Sequence, residues 1–411
     1  MRPTQSEGTD PGEDDPVIPN KPDSGESDSF LAKLTIYGIK QRDLTISLRG
    51  GRAVISLGSL AQELFSGSAE AILAIPPIPG VKGYTFEVPA STLTGPHTGA
   101  AITVSTELGS MRIPAGILAG MEGLAGKTAG INIDIPDKSK LPEDIKAAIG
   151  DRPIVSLTLT LNGEQTGWNN PEAPMTVSIP YTPTVKELRN SESIVIWYID
   201  GSGRAVSVPN GRYDPGTGTV TFSTTHFSHY AIAYNPVYFN DVAADAWYNK
   251  AVSFIAARGI TLGTGNGRYS PEAALTRGDF LVLLMRAFGI NANENPKDNF
   301  SDAGDTYYTG YLAEAKKLGI SAGVGNNMFA PNKAITRQEM CTLLYNALKV
   351  IKQLPETNNS DVDGRSKSLS DFTDEEQIAP WAREAMTLLV EHGMINGADG
   401  KLKPTEITTR A

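Results

Sequence analysis

The sequence has few of the residues that build cross-links and metal sites. Its 411 residues include one cysteine, Cys341, and four histidines, so no intrachain disulfide can form and no Cys/His cluster indicates zinc. No stretch approaches the ~20 consecutive apolar residues that a membrane-spanning helix needs. The net charge is −10 and no basic patch stands out, which argues against nucleic acid as a partner. These absences leave the cellular compartment open.

Much of the negative charge lies in the first thirty residues, which hold eight acidic and two basic side chains. This segment is Pro, Gly, Ser and acid with almost nothing apolar, so it cannot bury enough surface to offset the entropy of ordering. We predict that residues 1–30 form a disordered acidic linker. The segment lacks the charged-then-apolar pattern of a secretion signal, and we expect the chain to be a fragment cut at both ends.

Residues 31–235 alternate apolar and polar side chains in short runs broken by Gly and Pro, which is the period of half-buried strands. Clear examples are the runs 53–57, 101–105, 131–135 and 155–161, and the runs 194–199 and 205–208 around Asp200-Gly201 indicate a hairpin. Residues 141–149, ahead of Gly150, indicate one short helix. We predict a β-rich, sandwich-like N-terminal half with a module at 31–175. Residues 176–235 are either a second β-rich module or the end of the same sandwich.

After residue 235 one pattern occurs three times. Each unit opens with Phe-x-Asp, continues with an aromatic residue, and has a Gly-Ile or Gly-Met pair thirteen residues after that aromatic. A loop rich in Gly and Asn follows and leads to a proline, and a Thr-Arg pair stands five residues later. The aspartates are Asp241, Asp302 and Asp374, the aromatics are Trp247, Tyr307 and Trp381, and the arginines are Arg277, Arg337 and Arg410.

In the first two units an acid follows the Thr-Arg pair and precedes an apolar helical run. Thr276 with Asp279, and Thr336 with Glu339, therefore predict capping boxes, in which the hydroxyl accepts a backbone N–H and the acid reaches back. The third unit stops at Ala411, before the position of this acid. We expect it to be truncated.

The ordered set of these features resembles the S-layer homology domain, whose usual arrangement is three tandem copies. The resemblance covers about two fifths of the chain and predicts repeats at 236–292, 293–353 and 369–411, with a linker at 354–368. It implies an all-α bundle with a pseudo-threefold arrangement. It also implies binding of a secondary cell-wall polysaccharide, capped by pyruvylated sugar, in grooves between the repeats.

Within such grooves a pyruvate ketal presents a fixed carboxylate, which matches the planar donor fork of arginine at a helix start. The expected ligands are Arg277, Arg337 and Arg410, with walls from Trp247, Tyr307 and Trp381, backbone approach at Gly263, Gly265, Gly323 and Gly325, and sugar contacts from Asp241, Asp302 and Asp374. Each group has an alternative role: ion pairing with Asp279 or Glu339 for the arginines, core packing for the aromatics, helix or turn capping for the aspartates, and turn formation for the glycines.

Other constellations are weaker. Asn359, Asp361, Asp363 and Gly364 copy part of a calcium loop, but Ser370 stands where a bidentate Glu is required, so this segment is interpreted as linker. His226 and His229 favour packing and turn hydrogen bonds over metal binding. We find no phosphate loop, nucleophile elbow or paired-carboxylate motif, so neither catalysis nor a cofactor or metal is predicted.

The favoured function is a noncatalytic surface protein on the cell wall of a Gram-positive-type bacterium. Its expected partners are the secondary cell-wall polysaccharide and peptidoglycan-linked glycan, with self-association in a surface layer as a further option. One alternative makes the chain the anchor and spacer of a larger cell-surface enzyme such as a polysaccharide hydrolase. Another gives the β half a carbohydrate-binding or lattice-forming role.

Overall fold

The structure is a computed structural model that describes residues 30–36, 40–65, 70–95, 99–355 and 367–411. The acidic segment 1–29, most of the predicted linker and the calcium-loop-like residues Asn359, Asp361, Asp363 and Gly364 lie outside these ranges. Within them, no helix is long and apolar enough to cross a membrane. The chain has a β-rich N-terminal region followed by a region with several helices.

The N-terminal region is built from short strands. They are β1 (Leu31–Ile36), β2 (Lys40–Thr45), β3 (Ser47–Arg49), β4 (Arg52–Ser56), β5 (Glu70–Ala74), β6 (Gly83–Pro89), β7 (Ala101–Thr106), β8 (Gly109–Pro114), β9 (Thr128–Asp134), β10 (Ile154–Leu161), β11 (Glu164–Thr166), β12 (Met175–Pro180), β13 (Ile194–Ile199), β14 (Ala205–Val208), β15 (Arg212–Asp214), β16 (Thr219–Thr224) and β17 (His229–Tyr234). Among these described strands lie the short α-helices α1 (Leu60–Phe65), α2 (Glu143–Ile149) and α3 (Val185–Leu188).

The strands form two sheets that share one core. One sheet has the order β15-β16-β12-β8-β7-β5-β1-β2 and the other β14-β13-β17-β10-β9-β6-β4-β3, with β11 at the side of β10. Alternate side chains such as Leu34, Phe86, Ile102 and Phe222 point between the sheets and are fully buried. Because β12 pairs with β8 and β17 pairs with β10, residues 31–175 and 176–235 contribute strands to the same two sheets.

Several elements predicted from the sequence are confirmed. The runs 53–57, 101–105, 131–135 and 155–161 correspond to β4, β7, β9 and β10, and β13 and β14 form the predicted hairpin. Helix α2 follows Pro142 and ends at Gly150, whose φ of 58° places it in the left-handed region that favours glycine. Alternation and turn residues were sufficient for these local structures.

Five described helices follow: α4 (Asn249–Ala257), α5 (Arg277–Ala287), α6 (Thr309–Leu318), α7 (Arg337–Val350) and α8 (Pro380–Glu391). Thr336 caps α7 in a full capping box with Glu339, as predicted. Thr276 accepts the Asp279 N–H at the start of α5, but the Asp279 carboxylate does not reach back. The prediction was wrong for this half of the box, because the shorter side chain of Asp279 is engaged by Tyr307 and faces Arg410 instead.

The three repeats meet through equivalent backbone segments that bond in a closed cycle. Leu275 donates its N–H to Thr408 O (2.9 Å), Thr408 donates to Ile335 O (3.0 Å), and Ile335 donates to Leu275 O (2.9 Å). A second cycle runs through the arginines: the N–H of Arg277 donates to Lys333 O, that of Arg337 to Glu406 O, and that of Arg410 to Ala273 O. Each repeat therefore contacts both others in the same way.

Candidate functional site

A groove of about 380 Å³ opens between the repeats and is lined by residues of all three. We call it the inter-repeat groove. The first repeat supplies a loop and one side of α5, the second supplies Tyr307, and the third supplies Arg410. The lining residues are Thr261, Leu262, Gly263, Thr264, Asp279, Val282, Leu283, Arg286, Tyr307 and Arg410.

The groove loop is held in shape by the first residues of its repeat. Both carboxylate oxygens of Asp241 accept backbone N–H groups across the loop, from Tyr269 (2.8 Å) and Ser270 (2.9 Å). Gly263 has a φ of 77°, and a Cβ there would lie 2.6 Å from the Phe239 ring. The Phe-x-Asp motif and this glycine together therefore determine the shape of the loop. The N–H groups donated by Tyr269 and Ser270 hold the pKa of Asp241 below its usual value.

The other aspartates of the motif repeat this geometry. Asp302 accepts from the N–H groups of Phe329 and Ala330, and Asp374 from those of Leu402 and Lys403, all at 2.8 Å. Burial opposes ionisation of Asp374, but the two N–H groups outweigh it and its pKa is lowered. Both oxygens of each of these three carboxylates accept backbone N–H groups, so the side chains fix the shape of the loops. This geometry corresponds to the turn-capping alternative given for the aspartates in the sequence analysis.

Gly323 repeats the position of Gly263 in the second repeat, where an added Cβ would collide with the Met328 carbonyl oxygen and the Phe300 ring. Gly265 and Gly325 have open space around them and φ values of 97° and 104°. Of the four predicted glycines, Gly263 lies in the inter-repeat groove.

Arg410 lines the groove, and its side chain is held in place by Tyr269. Its Nε donates to Tyr269 O (2.9 Å), and its guanidinium lies over the Tyr269 ring, 5.0 Å from the centroid. Its Nη1 lies 3.7 Å from Asp279 Oδ2, which is beyond hydrogen-bond distance. The guanidinium is thus positioned by neutral groups and faces a carboxylate that does not bind it tightly.

Tyr307 also lines the groove and donates its hydroxyl to Asp279. Its side chain is 60% exposed. Burial of the hydroxyl and its hydrogen bond to Asp279 raise the pKa of Tyr307. The ring therefore presents an apolar face to the groove while its hydroxyl is fixed.

Trp247 and Trp381, at the equivalent positions, are 83% and 57% exposed. Neither ring lies in the core, so the core-packing alternative does not apply to them. Both lie outside the inter-repeat groove that Tyr307 lines.

Arg277 resembles Arg410 in its contacts but pairs more closely with an acid. Its side chain is 5% exposed, against 6% for Arg410, and its Nε donates to Phe329 O (2.9 Å). Its Nη1 lies 3.1 Å from Glu339 Oε1 of the second repeat, whereas Arg410 Nη1 lies 3.7 Å from Asp279. Arg337 donates from Nη2 to Asn396 O (2.7 Å), and its buried Nε has no hydrogen-bond partner among the described residues. The structure therefore gathers Arg410, Tyr307 and Gly263 in one groove and gives Arg277 an inter-repeat ion pair.

Two residues of the groove were not among those predicted to bind. Asp279 was predicted as a capping acid and as an alternative ion-pair partner for the arginines, and Arg286 was not singled out. Arg286 donates from Nε to Tyr311 OH (3.1 Å) and from Nη1 to Ile260 O (3.4 Å). Its signal in the sequence is a lone basic residue in the last turn of an apolar helix, which is also typical of ordinary helix ends.

Comparison with known proteins agrees with the repeats seen here. The S-layer homology domain model matches residues 238–281, 299–341 and 371–411. The S-layer protein sap of Bacillus anthracis is 28% identical over 173 residues, 42% of this chain and 20% of that protein. Exoglucanase XynX of Acetivibrio thermocellus is 31% identical over 178 residues, 43% of this chain and 15% of that protein.

A third relative extends beyond the repeats. Amylopullulanase of Thermoanaerobacterium thermosulfurigenes is 27% identical over 286 residues, which are 69% of this chain and 14% of that protein. The chain thus spans a fifth or less of the length of these three relatives. Residues 238–411 carry three domains of the S-layer homology family, and the chain is a bacterial cell-wall surface protein.

Proposed function

We propose that the repeats bind a secondary cell-wall polysaccharide with acidic, pyruvylated ends and thereby hold a noncatalytic protein on the wall. The observation that carries the proposal is the inter-repeat groove, where Arg410, Tyr307 and the backbone of the 261–264 loop face one space. A guanidinium fork, an exposed ring and a bare backbone are the three groups needed for a carboxylated sugar.

The charges in the groove support this ligand class. Arg410 faces Asp279 at 3.7 Å, so its guanidinium keeps donor capacity for an incoming carboxylate. Tyr307 donates its hydroxyl to Asp279 Oδ1, so one oxygen of that acid is engaged by a neutral group. Arg286 supplies a second positive charge to the lining of the groove. An acidic sugar is therefore favoured over a neutral or basic one.

The two cycles of backbone hydrogen bonds support a pseudo-threefold, all-α arrangement of the repeats. Because each repeat uses equivalent residues to contact the next, a single groove geometry can recur at each boundary. By the order of the repeats, Arg277 with Trp381 and Arg337 with Trp247 are the counterparts of Arg410 with Tyr307, and we propose that they serve the other two boundaries. We place the repeats at 236–292, 293–353 and 369–411, and the sandwich at 31–235.

A second function is favoured by the amylopullulanase match. Its 286 aligned residues exceed the 176 residues from Pro236 to Ala411, so the similarity includes part of the β-rich region. The combination of sheets and repeats then serves as spacer and anchor for a larger surface enzyme. The S-layer relatives support the further option of self-association in a surface layer, with peptidoglycan-linked glycan as a neighbouring partner.

The test is sedimentation of the purified chain with cell-wall sacculi. We expect the wild-type chain to pellet with sacculi that carry the polymer and to stay in solution with sacculi from which acid has extracted it. Tyr307→Ala weakens binding at least about tenfold, since an exposed anchor ring is lost from the centre of the site. Tyr238→Ala, which removes another exposed tyrosine, is the matched control and binds as wild type. Equal pelleting with extracted sacculi would refute the proposal.

A further inference from the structure

Arg258 is the most completely bonded cation at the boundary between the β-rich region and the first repeat. It ends α4 and is 4% exposed. Its Nε donates to Gly211 O (3.0 Å), and its Nη2 donates to Gly211 O (2.5 Å) and Ile194 O (3.2 Å). Its Nη1 donates to Glu192 O (2.7 Å) and to Phe254 O of its own helix (3.0 Å). All five N–H donors of the guanidinium are therefore used.

Three of the four acceptor carbonyls belong to the β-rich region, and these five hydrogen bonds involve no carboxylate. The guanidinium also stacks on Phe254, with 3.5 Å to the ring centroid. Burial lowers the pKa of Arg258 to about 10, so the group is still charged at neutral pH. A buried charge whose hydrogen bonds all go to backbone carbonyls is costly to misplace, because each lost contact leaves a buried donor unpaired.

Apolar contacts and a second hydrogen bond support the same boundary. Val195 and Ala233 of the sheet and Ala257 of α4 are fully or almost fully buried against one another, with Trp197 packed beside them. The side chain of Asn235 donates from Nδ2 to Ala257 O (2.6 Å). The end of α4 is thus fixed to the sheet on several sides.

The fixed end of α4 leads directly into the groove. Gly259 and Ile260 follow Arg258, and residues 261–264 line the inter-repeat groove. Arg286 of the groove donates to Ile260 O, so the loop is held between the sandwich and α5. The equivalent positions in the other repeats are Leu318 and His392, neither of which can present such a fork.

We propose that Arg258 is a clasp through which the sandwich positions the groove loop, so that the β-rich region is part of the wall-binding unit. Arg258 acts here as a positioning residue and makes no contact with the ligand. The part of this inference that concerns polymer affinity rests on the proposed function. The part that concerns a rigid boundary does not.

The rigid boundary is tested by distance measurements between spin labels on the full chain. Labels at Glu164→Cys in the sandwich and Lys349→Cys in α7 occupy exposed positions, and native Cys341 is fully buried. We expect a narrow distance distribution that Arg258→Met broadens, since Met keeps an apolar stem and removes every donor. Arg383→Met, an exposed arginine of the third repeat, leaves the distribution narrow. An unchanged distribution in Arg258→Met overturns the clasp.

The affinity of the same variants for the polymer tests the positioning role separately from the rigidity of the boundary. If Arg258→Met leaves the loop correctly placed in a tenth of the molecules, the apparent affinity for purified wall polymer falls about tenfold. Unchanged affinity with a broadened distribution overturns the positioning role. Should Arg258→Met fail to fold, Asn235→Ala removes one boundary hydrogen bond and must give the same two effects to a smaller degree. If the wild-type chain does not bind the polymer, the proposed function is wrong. The spin-label distance distributions still test whether Arg258 makes the boundary rigid.

Discussion

The Arg277 guanidinium of the first repeat lies 3.1 Å from the Glu339 carboxylate of the second. Glu339 also completes the capping box of α7 by accepting the Thr336 N–H (2.8 Å). One acid therefore stabilises its own helix start and the neighbouring repeat at the same time. The Thr-Arg-x-acid motif is thus an assembly device as well as a candidate part of the binding groove.

Loss of the Arg277 side chain should destabilise the repeats. Arg277→Ala removes the closer of the two cations at the mostly buried Glu339 and leaves the exposed Lys333, whose Nζ lies 3.5 Å away, so we expect the free energy of unfolding in urea to fall by about 3 kcal/mol. Arg383→Ala, which breaks the pair between exposed Arg383 and Glu375, costs at most about 1 kcal/mol. Equal losses of unfolding free energy in the two variants would show that the buried inter-repeat pair stabilises the protein no more than an exposed surface pair.

Replacement of Asp302 by asparagine should destabilise the second repeat. In Asp302→Asn one acceptor oxygen becomes an NH₂ group that faces a backbone N–H of Phe329 or Ala330, so an N–H loses its acceptor. We expect a loss of about 1–3 kcal/mol in urea unfolding. Asp305→Asn, a change at an exposed site in the same loop, serves as the control and should be neutral. A neutral Asp302→Asn would contradict the loop-pinning role.

Gly323 and Gly325 separate steric crowding from backbone strain. Both have positive φ, but only a Cβ at Gly323 meets neighbouring atoms, among them the Phe300 ring at 2.8 Å. Gly325→Ala adds strain alone and should cost about 1 kcal/mol, whereas Gly323→Ala should cost clearly more. Thermal unfolding of the two variants checks this order, and the reverse order would be inconsistent with the loop geometry.

Acid should unfold the repeats through Glu339. Burial tends to raise the pKa of this group, but the Thr336 N–H and Arg277 outweigh it and hold the pKa below its ordinary value of 4.5. A group with a lowered folded-state pKa stabilises the fold fully above its unfolded value, and this stability is lost as pH falls through the folded value. The Tm should therefore drop below about pH 4.5, and Glu339→Gln should drop less steeply. If the Tm of the wild type and of Glu339→Gln fell in parallel with pH, ionisation of Glu339 would not be the cause of the acid sensitivity.

The local structure of the chain could be predicted from its sequence, whereas long-range pairings could not. Alternation identified β10, and the turn at Asp200-Gly201 identified the β13–β14 hairpin, because both depend on near neighbours. The pairing of β12 with β8 joins residues more than sixty positions apart, and nothing in either strand specifies that partner. The sequence therefore left open whether 176–235 was a separate module.

The candidate site shows the same division. The repeat spacing identified Arg410, Tyr307 and Gly263, all of which line the inter-repeat groove. Spacing along the chain suggested Asp279 and Glu339 as ion-pair partners of the arginines, but it could not show that the acid of one repeat faces the arginine of another. The burial of Arg277 and the exposure of Trp247 are likewise properties of the assembled repeats.

Isothermal titration calorimetry with purified wall polymer tests polymer binding most directly. The titrations use intact polymer and polymer whose acidic end groups have been removed by mild acid. We predict saturable binding of the intact polymer, at least about tenfold weaker binding by Tyr307→Ala, and no measurable binding of the treated polymer. Equal heats with intact and treated polymer, or no heat with either, would contradict recognition of an acidic sugar by the inter-repeat groove.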